Sequence, residues 1–169
     1  MIDHTTIELA RIVLGACQAK GLLVATAESC TGGLVAAALT AVAGSSDVVD
    51  RGFVTYSNAA KAEMLGVPPA LIGEHGAVSE LVARAMAEGA IRHSKAGLSV
   101  AITGIAGPGG GSAEKPVGLV HFAASLADGR SLHIERRFGD VGRDVVRTRS
   151  VTQALDLLLH LAKDHAVVG

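Results

Sequence analysis

Two short runs, LLVATA at residues 22–27 and LSVAIT at 98–103, are apolar or small throughout, with no polar residue at alternate positions. A strand with one solvated face alternates, so an unbroken run implies cover on both faces and a sheet enclosed between helices. Helical patterns surround both runs. Ile7, Ala10, Val13, Leu14 and Cys17 share a face over 7–19, with Gly21 placed to end the helix. Residues 31–43 form an Ala-rich helix before a Gly44-Ser45-Ser46 turn, and 58–65 a short one capped by Ser57 or Asn58 and stopped by Gly66. A helix over 79–93 turns Leu81, Val82, Ala85, Met86 and Ile91 inward, with Glu80, Arg84, Glu88 and Arg92 on the solvated side. The last helix, 142–163, is amphipathic through Val146, Val151, Leu155, Leu158 and Leu159. Residues 48–56 suggest a strand with a bulge or turn at 50–52, 69–76 a connection, and 117–126 with 130–138 an antiparallel hairpin closed at 127–129. The expected fold is α/β, a three-layer α/β/α sandwich with a mixed central sheet.

Composition narrows the partners. The 169 residues fit a single domain, 1–169, large enough to bury about two thirds of its unfolded surface. Aromatic residues are only Phe53, Tyr56, Phe122 and Phe138, so the core is built from Ala, Val, Leu and Ile. A formal net charge of −1 and the lack of an aromatic platform argue against nucleic acid. Cys17 and Cys30 fit neither a disulfide scaffold nor a zinc motif, and the seven histidines are scattered, so no metal and no cofactor is expected. With no leader pattern and no apolar run of about 18 residues, the expected location is cytoplasmic, with no membrane partner.

In such sheets ligands gather at the C-terminal strand ends, where AESCTGG (27–33) and the loop GIAGPGGGSAEKP (104–116) fall. Ser29 stands just before a helix start and is a candidate nucleophile, with amides of residues 30–33 beside it. The competing role is an N-cap made by Ser29 or Thr31, with Gly32 and Gly33 allowing close packing, and spacing alone fits the cap better. Cys30 is a second candidate nucleophile or a small buried hydrophobe. Glu28, a carboxylate ending an apolar strand, faces a ligand hydroxyl, a lysine or solvent. In YSNAAK (56–61), Lys61 can serve as a base if desolvation depresses its pKa, with Tyr56 relaying a proton; an exposed lysine fits the same pattern. Thr103 can hydrogen-bond a carboxamide, and Gly104 opens a loop that is neither a P-loop nor a dinucleotide fingerprint. Arg143 and Arg147 lie one helical turn apart, and Arg143 at the helix start suits a phosphate or pairs with Asp140 or Asp144.

Taken in order, AESCTGG, GFVTYSNAAK, HGAVSE, ITGIAGPGGGSAEKPVG and the final Arg-containing helix resemble the C-terminal domain family of the competence/damage-inducible protein A, over about residues 7 to 162. Stand-alone members of that family are nicotinamide-nucleotide amidohydrolases. The resemblance implies one amidohydrolase domain that deamidates nicotinamide mononucleotide to nicotinate mononucleotide and ammonia, in a homo-oligomer, here expected to be a homodimer. It implies Ser29 as nucleophile and Tyr56 and Lys61 as proton-transfer residues. It matches Ser46, Thr103 and Arg143 to residues associated with the family's pocket; Glu28, Thr31, Gly32 and Gly104, from the reading of the residues, are expected to face the substrate beside them. The stretch GDVGRD, 139–144, is longer than the family's usual turn and leaves the register of Arg143 open. A nucleotide-binding module without chemistry, or an amidase for another small amide, fits the same residues.

Overall fold

The computed structural model describes residues 2–166. Its strands are β1 (Val24–Glu28), β2 (Val49–Val54), β3 (Leu98–Gly104), β4 (Leu119–Leu126) and β5 (Ser131–Arg137). They form one sheet in the order β2-β1-β3-β4-β5. The pairs β1–β2 and β1–β3 are parallel, whereas β3–β4 and β4–β5 are antiparallel, so the sheet is mixed. The unbroken apolar runs behave as their composition requires: all of β1 and β4, and all of β3 except its last residue, are buried.

Six helices cover the two faces. On one side α1 (His4–Ala19), α2 (Leu34–Thr40) and α6 (Arg143–Asp164) pack on Val24, Leu98, Val100, Ile102 and Phe122. On the other, α3 (Asn58–Leu65), α4 (Pro69–His75) and α5 (Glu80–Arg92) pack on Ala25, Ala27, Ala101 and Ala123. Alanines on that face let α5 approach closely with small residues of its own, Ala83, Ala87 and Ala90. The architecture is the three-layer α/β/α sandwich that the sequence implies.

Several boundaries differ for physical reasons. Strand β1 starts two residues later than expected and ends one residue later, taking in Glu28. Helix α2 begins at Leu34 rather than 31, because Gly32 and Gly33 adopt φ of 60° and 100° and form a separate turn. Residues 69–75, expected to be a connection, hold a two-turn helix with Pro69 in its first turn, where the missing N–H costs nothing. Leu81 is 46% exposed, since the buried face of α5 is centred on Val82, Ala83, Met86, Ala87 and Ala90. The 50–52 stretch stays within β2, and the expected irregularity appears as a register shift between the Val24–Val49 and Ala25–Arg51 pairs.

Parallel pairing brings three chain segments to one edge. Glu28 lies opposite both Val54 and Ile102, so Ser29, Thr55–Tyr56 and Thr103 emerge side by side. Two further bonds fix them there: Ser29 N–H to the Ile102 carbonyl at 2.9 Å, and Thr55 N–H to the Glu28 carbonyl at 2.8 Å. Helix α3 is seated beside this edge by α5, whose Gly89 lies directly against the Leu65 carbonyl. A Cβ at Gly89 would overlap that oxygen, so Gly89→Ala is expected to cost roughly 1–3 kcal/mol. Urea unfolding measures this; an unchanged midpoint would show that the close approach of the two helices is dispensable.

Candidate active site

Lys61 stands one turn into α3, a helix whose start is capped by the Ser57 hydroxyl accepting from Ala60 N–H at 3.0 Å. Its side chain is directed inward and the residue is only 1% exposed. The amine Nζ lies 2.8 Å from the Thr55 carbonyl, 3.0 Å from Ser29 Oγ and 3.5 Å from the Tyr56 carbonyl. No carboxylate forms an ion pair with it among the described residues. Burial pushes the amine below the ordinary lysine value, with Cys30 acting in the other direction. Once neutral, Nζ has a lone pair that can accept the Ser29 proton.

The turn 29–33 is organised from below by Glu28. This carboxylate is fully buried and accepts from Val35 N–H at 2.9 Å and Ala36 N–H at 3.0 Å, with Thr26 Oγ1 at 3.3 Å. It therefore satisfies the first amides of α2, the work expected of Ser29 or Thr31. The residue at the N-cap position is Gly33, with no side-chain bond of its own. Ser29 Oγ is left to Lys61, and Thr31 Oγ1 is buried without a partner. Cys30 is inert by comparison: burial pushes its thiol up to about 12.

Ser29, Tyr56, Lys61, Thr103, Gly104 and Arg143 line one cavity of about 280 Å³. Arg143, the first residue of α6, spans it with both arms of its guanidinium, donating to the Gly107 carbonyl at 3.0 Å and to Tyr56 Oη at 2.8 Å. The Tyr56 phenol thus meets Arg143; the atom of Tyr56 near Lys61 is its backbone carbonyl. Thr103 Oγ1 donates to the Ala77 carbonyl at 2.8 Å, leaving its lone pairs free to accept. Asn58, read in the sequence as a possible cap, lines the cavity while Ser57 does the capping.

Four expected residues do not line it. Glu28 is committed to α2, and Thr31 and Gly32 sit in the turn behind Ser29. Ser46 is exposed in the short 3-10 turn before β2, at the opposite end of the sheet from Ser29. The glycine loop, by contrast, contributes more than Gly104, since Gly107, Gly109 and Gly110 also face the cavity. Among the described residues no group of three metal-ligating side chains converges. Burial pushes the Cys17 thiol up to about 12 as well, so neither cysteine should react with a thiol reagent at pH 8 until denaturant is added. Native-state labelling of Cys30 would contradict its buried, inert placement.

Residues 6–162 match the CinA C-terminal domain family. A CinA-like protein of Synechococcus sp. (strain RCC307) is 54% identical over 151 residues, which are 89% of this chain but 36% of that protein. The chain thus spans about a third of that longer relative. The nicotinamide-nucleotide amidohydrolase PncC of Escherichia coli (strain K12) is 50% identical over 159 residues, 94% of this chain and 95% of its own length. In the crystal structure of the competence/damage inducible protein CihA from Agrobacterium tumefaciens, 98% of the chain superposes on 95% of this one, with a TM-score of 0.93 and 55% identity.

Proposed function

The chain belongs to the CinA C-terminal domain family, and from that premise we propose that it is a single-domain nicotinamide-nucleotide amidohydrolase that converts nicotinamide mononucleotide to nicotinate mononucleotide and ammonia. The observation that carries this reading is the buried Lys61 amine 3.0 Å from Ser29 Oγ inside the cavity. A serine hydroxyl is a weak nucleophile until a neighbouring base removes its proton, and a desolvated amine can be that base near neutral pH.

In the proposed reaction Ser29 Oγ attacks the carboxamide carbon as its proton passes to Lys61 Nζ. The carbonyl π electrons move to oxygen, and amides of the turn after Ser29 receive the resulting oxyanion. Gly32 N–H is already given to the Ser29 carbonyl at 3.0 Å, so Cys30 and Thr31 supply the available donors. The Lys61 ammonium then protonates the departing nitrogen, the C–N bond breaks and ammonia leaves an acyl-Ser29 ester. Water, deprotonated by Lys61, cleaves that ester and restores the serine. Thr103 Oγ1 accepts from the carboxamide N–H, which holds the group in line. Arg143, already bridging Tyr56 and the glycine loop, supplies positive charge for the 5′-phosphate. The Tyr56 phenol belongs to this substrate-reading end. A homodimer is the proposed assembly.

Because only the neutral amine accepts a proton, kcat/KM should rise with pH and level off below the ~10.4 of an ordinary lysine. Burial of the amine opposes its charged form, so the associated loss of stability is absent above the unfolded pKa and complete below the folded one. Lys61→Met should therefore be inactive yet no less stable at neutral pH. The direct test is ammonia release from nicotinamide mononucleotide, with free nicotinamide and Ser29→Ala as controls. Turnover should fall roughly 10³-fold or more in the serine variant. Ligand binding without ammonia, or turnover that survives loss of the hydroxyl, defeats the proposal.

A further inference from the structure

We infer that Arg147 is a positioning residue for this reaction, one that holds the backbone after the nucleophile in its oxyanion-binding orientation. The inference rests on Ser29 acting as the nucleophile. Arg147 lies one turn beyond Arg143 on α6 and is half-buried. Its Nε donates to the Cys30 carbonyl at 3.2 Å and its Nη2 to the Thr31 carbonyl at 3.3 Å. The contrast with other arginines is informative: Arg51, Arg84, Arg130 and Arg137 all pair with carboxylates. Arg147 instead directs its planar fork at two successive peptide carbonyls, a match of geometry that a single ammonium cannot reproduce.

The consequence follows from peptide planarity. Among the described residues the only cis bond is Gly107–Pro108, so the Cys30–Thr31 peptide is trans and its N–H points opposite to its C=O. With the Cys30 carbonyl turned to Arg147, the Thr31 N–H is turned away from it. The Ser29 carbonyl accepts from Gly32 N–H, which sets the Cys30 N–H in the same manner. Neither Cys30 nor Thr31 N–H donates to an acceptor among the described residues. A charged donor on the carbonyl also polarises the peptide and strengthens its N–H as a donor. Gly32, at φ 60°, allows the tight turn beneath the guanidinium. Glu28 holds the far side of the same segment through Val35 and Ala36. The turn is thus clamped from α6 and from β1, with the two free amides between.

Arg147 does not line the cavity, so its loss should act on the transition state more than on ground-state binding. Arg147→Ala should lower kcat by roughly 10²-fold, the scale for a misplaced catalytic group or a lost oxyanion donor, with KM within about threefold. Guanidinium ion at millimolar concentration should restore part of kcat, whereas sodium chloride at equal ionic strength should not. Arg147→Lys should give an intermediate kcat at unchanged KM, and provides the test if the alanine variant fails to fold. A fluorophosphonate probe that modifies Ser29 gives a readout independent of the substrate's identity, and should label both variants more slowly than wild type. Folded variants with kcat and labelling rate within twofold of wild type overturn the inference, as does a proportional rise in KM without guanidinium rescue. A wild-type protein that labels at Ser29 but releases no ammonia defeats the substrate assignment alone. One that does neither defeats the nucleophile, and this inference with it.

Discussion

An amine buried without a carboxylate partner is the interaction on which the rest of the site depends. Among the described residues Lys61 is the largest fully buried side chain, and its charged form is costly because burial removes the water around it, with only two carbonyls and a hydroxyl in its place. A buried ion pair would have been more comfortable, but it would also have held the proton on nitrogen. The fold supplies the acceptors instead: the Thr55 and Tyr56 carbonyls at the end of β2 and the Ser29 hydroxyl at the end of β1. Parallel pairing of these strands puts the three groups within reach, and the close packing of α3 on α5 at Gly89 sets the depth of the amine.

The segment after Ser29 resolves a conflict. A helix that began directly at the serine would enlist its hydroxyl as a cap and take it away from Lys61. Two left-handed glycines delay the helix, and Glu28 reaches forward from the strand to satisfy its opening amides. The proposed nucleophile, its proposed base and the helix cap are then three different residues. Arg143 and Arg147 divide the far wall between them, the first spanning the ligand cavity and the second holding backbone behind it.

What the sequence made legible follows the range of the physics involved. The sandwich could be read from the unbroken runs because burial on both faces is a local statement about composition. Ser29 and Lys61 could be named from their chemistry and, more sharply, from the family resemblance, but their 3.0 Å separation depends on strand pairing across the chain. Glu28, expected to face the substrate, hydrogen-bonds the first amides of α2, a partnership that depends on where α2 begins, which two glycine dihedrals decide. Ser46 illustrates the reverse: it lies in the expected turn, yet the parallel pairing of β1 and β2 puts that turn at the opposite end of the strands from Ser29. The phase of α5 was off by one side because its apolar stripe is mostly alanine, which marks a buried face weakly, and α4 was hidden by its short length and its prolines.

The central claim is that burial lowers the pKa of the Lys61 amine, so that its neutral form is available as a base. Heteronuclear NMR titration of lysine-labelled protein observes this directly, with the Lys61 signal assigned by its loss in Lys61→Met. The account predicts a signal that titrates below the ~10.4 of an ordinary lysine, apart from the other lysines. A Lys61 amine that holds its proton up to that value or beyond would contradict it.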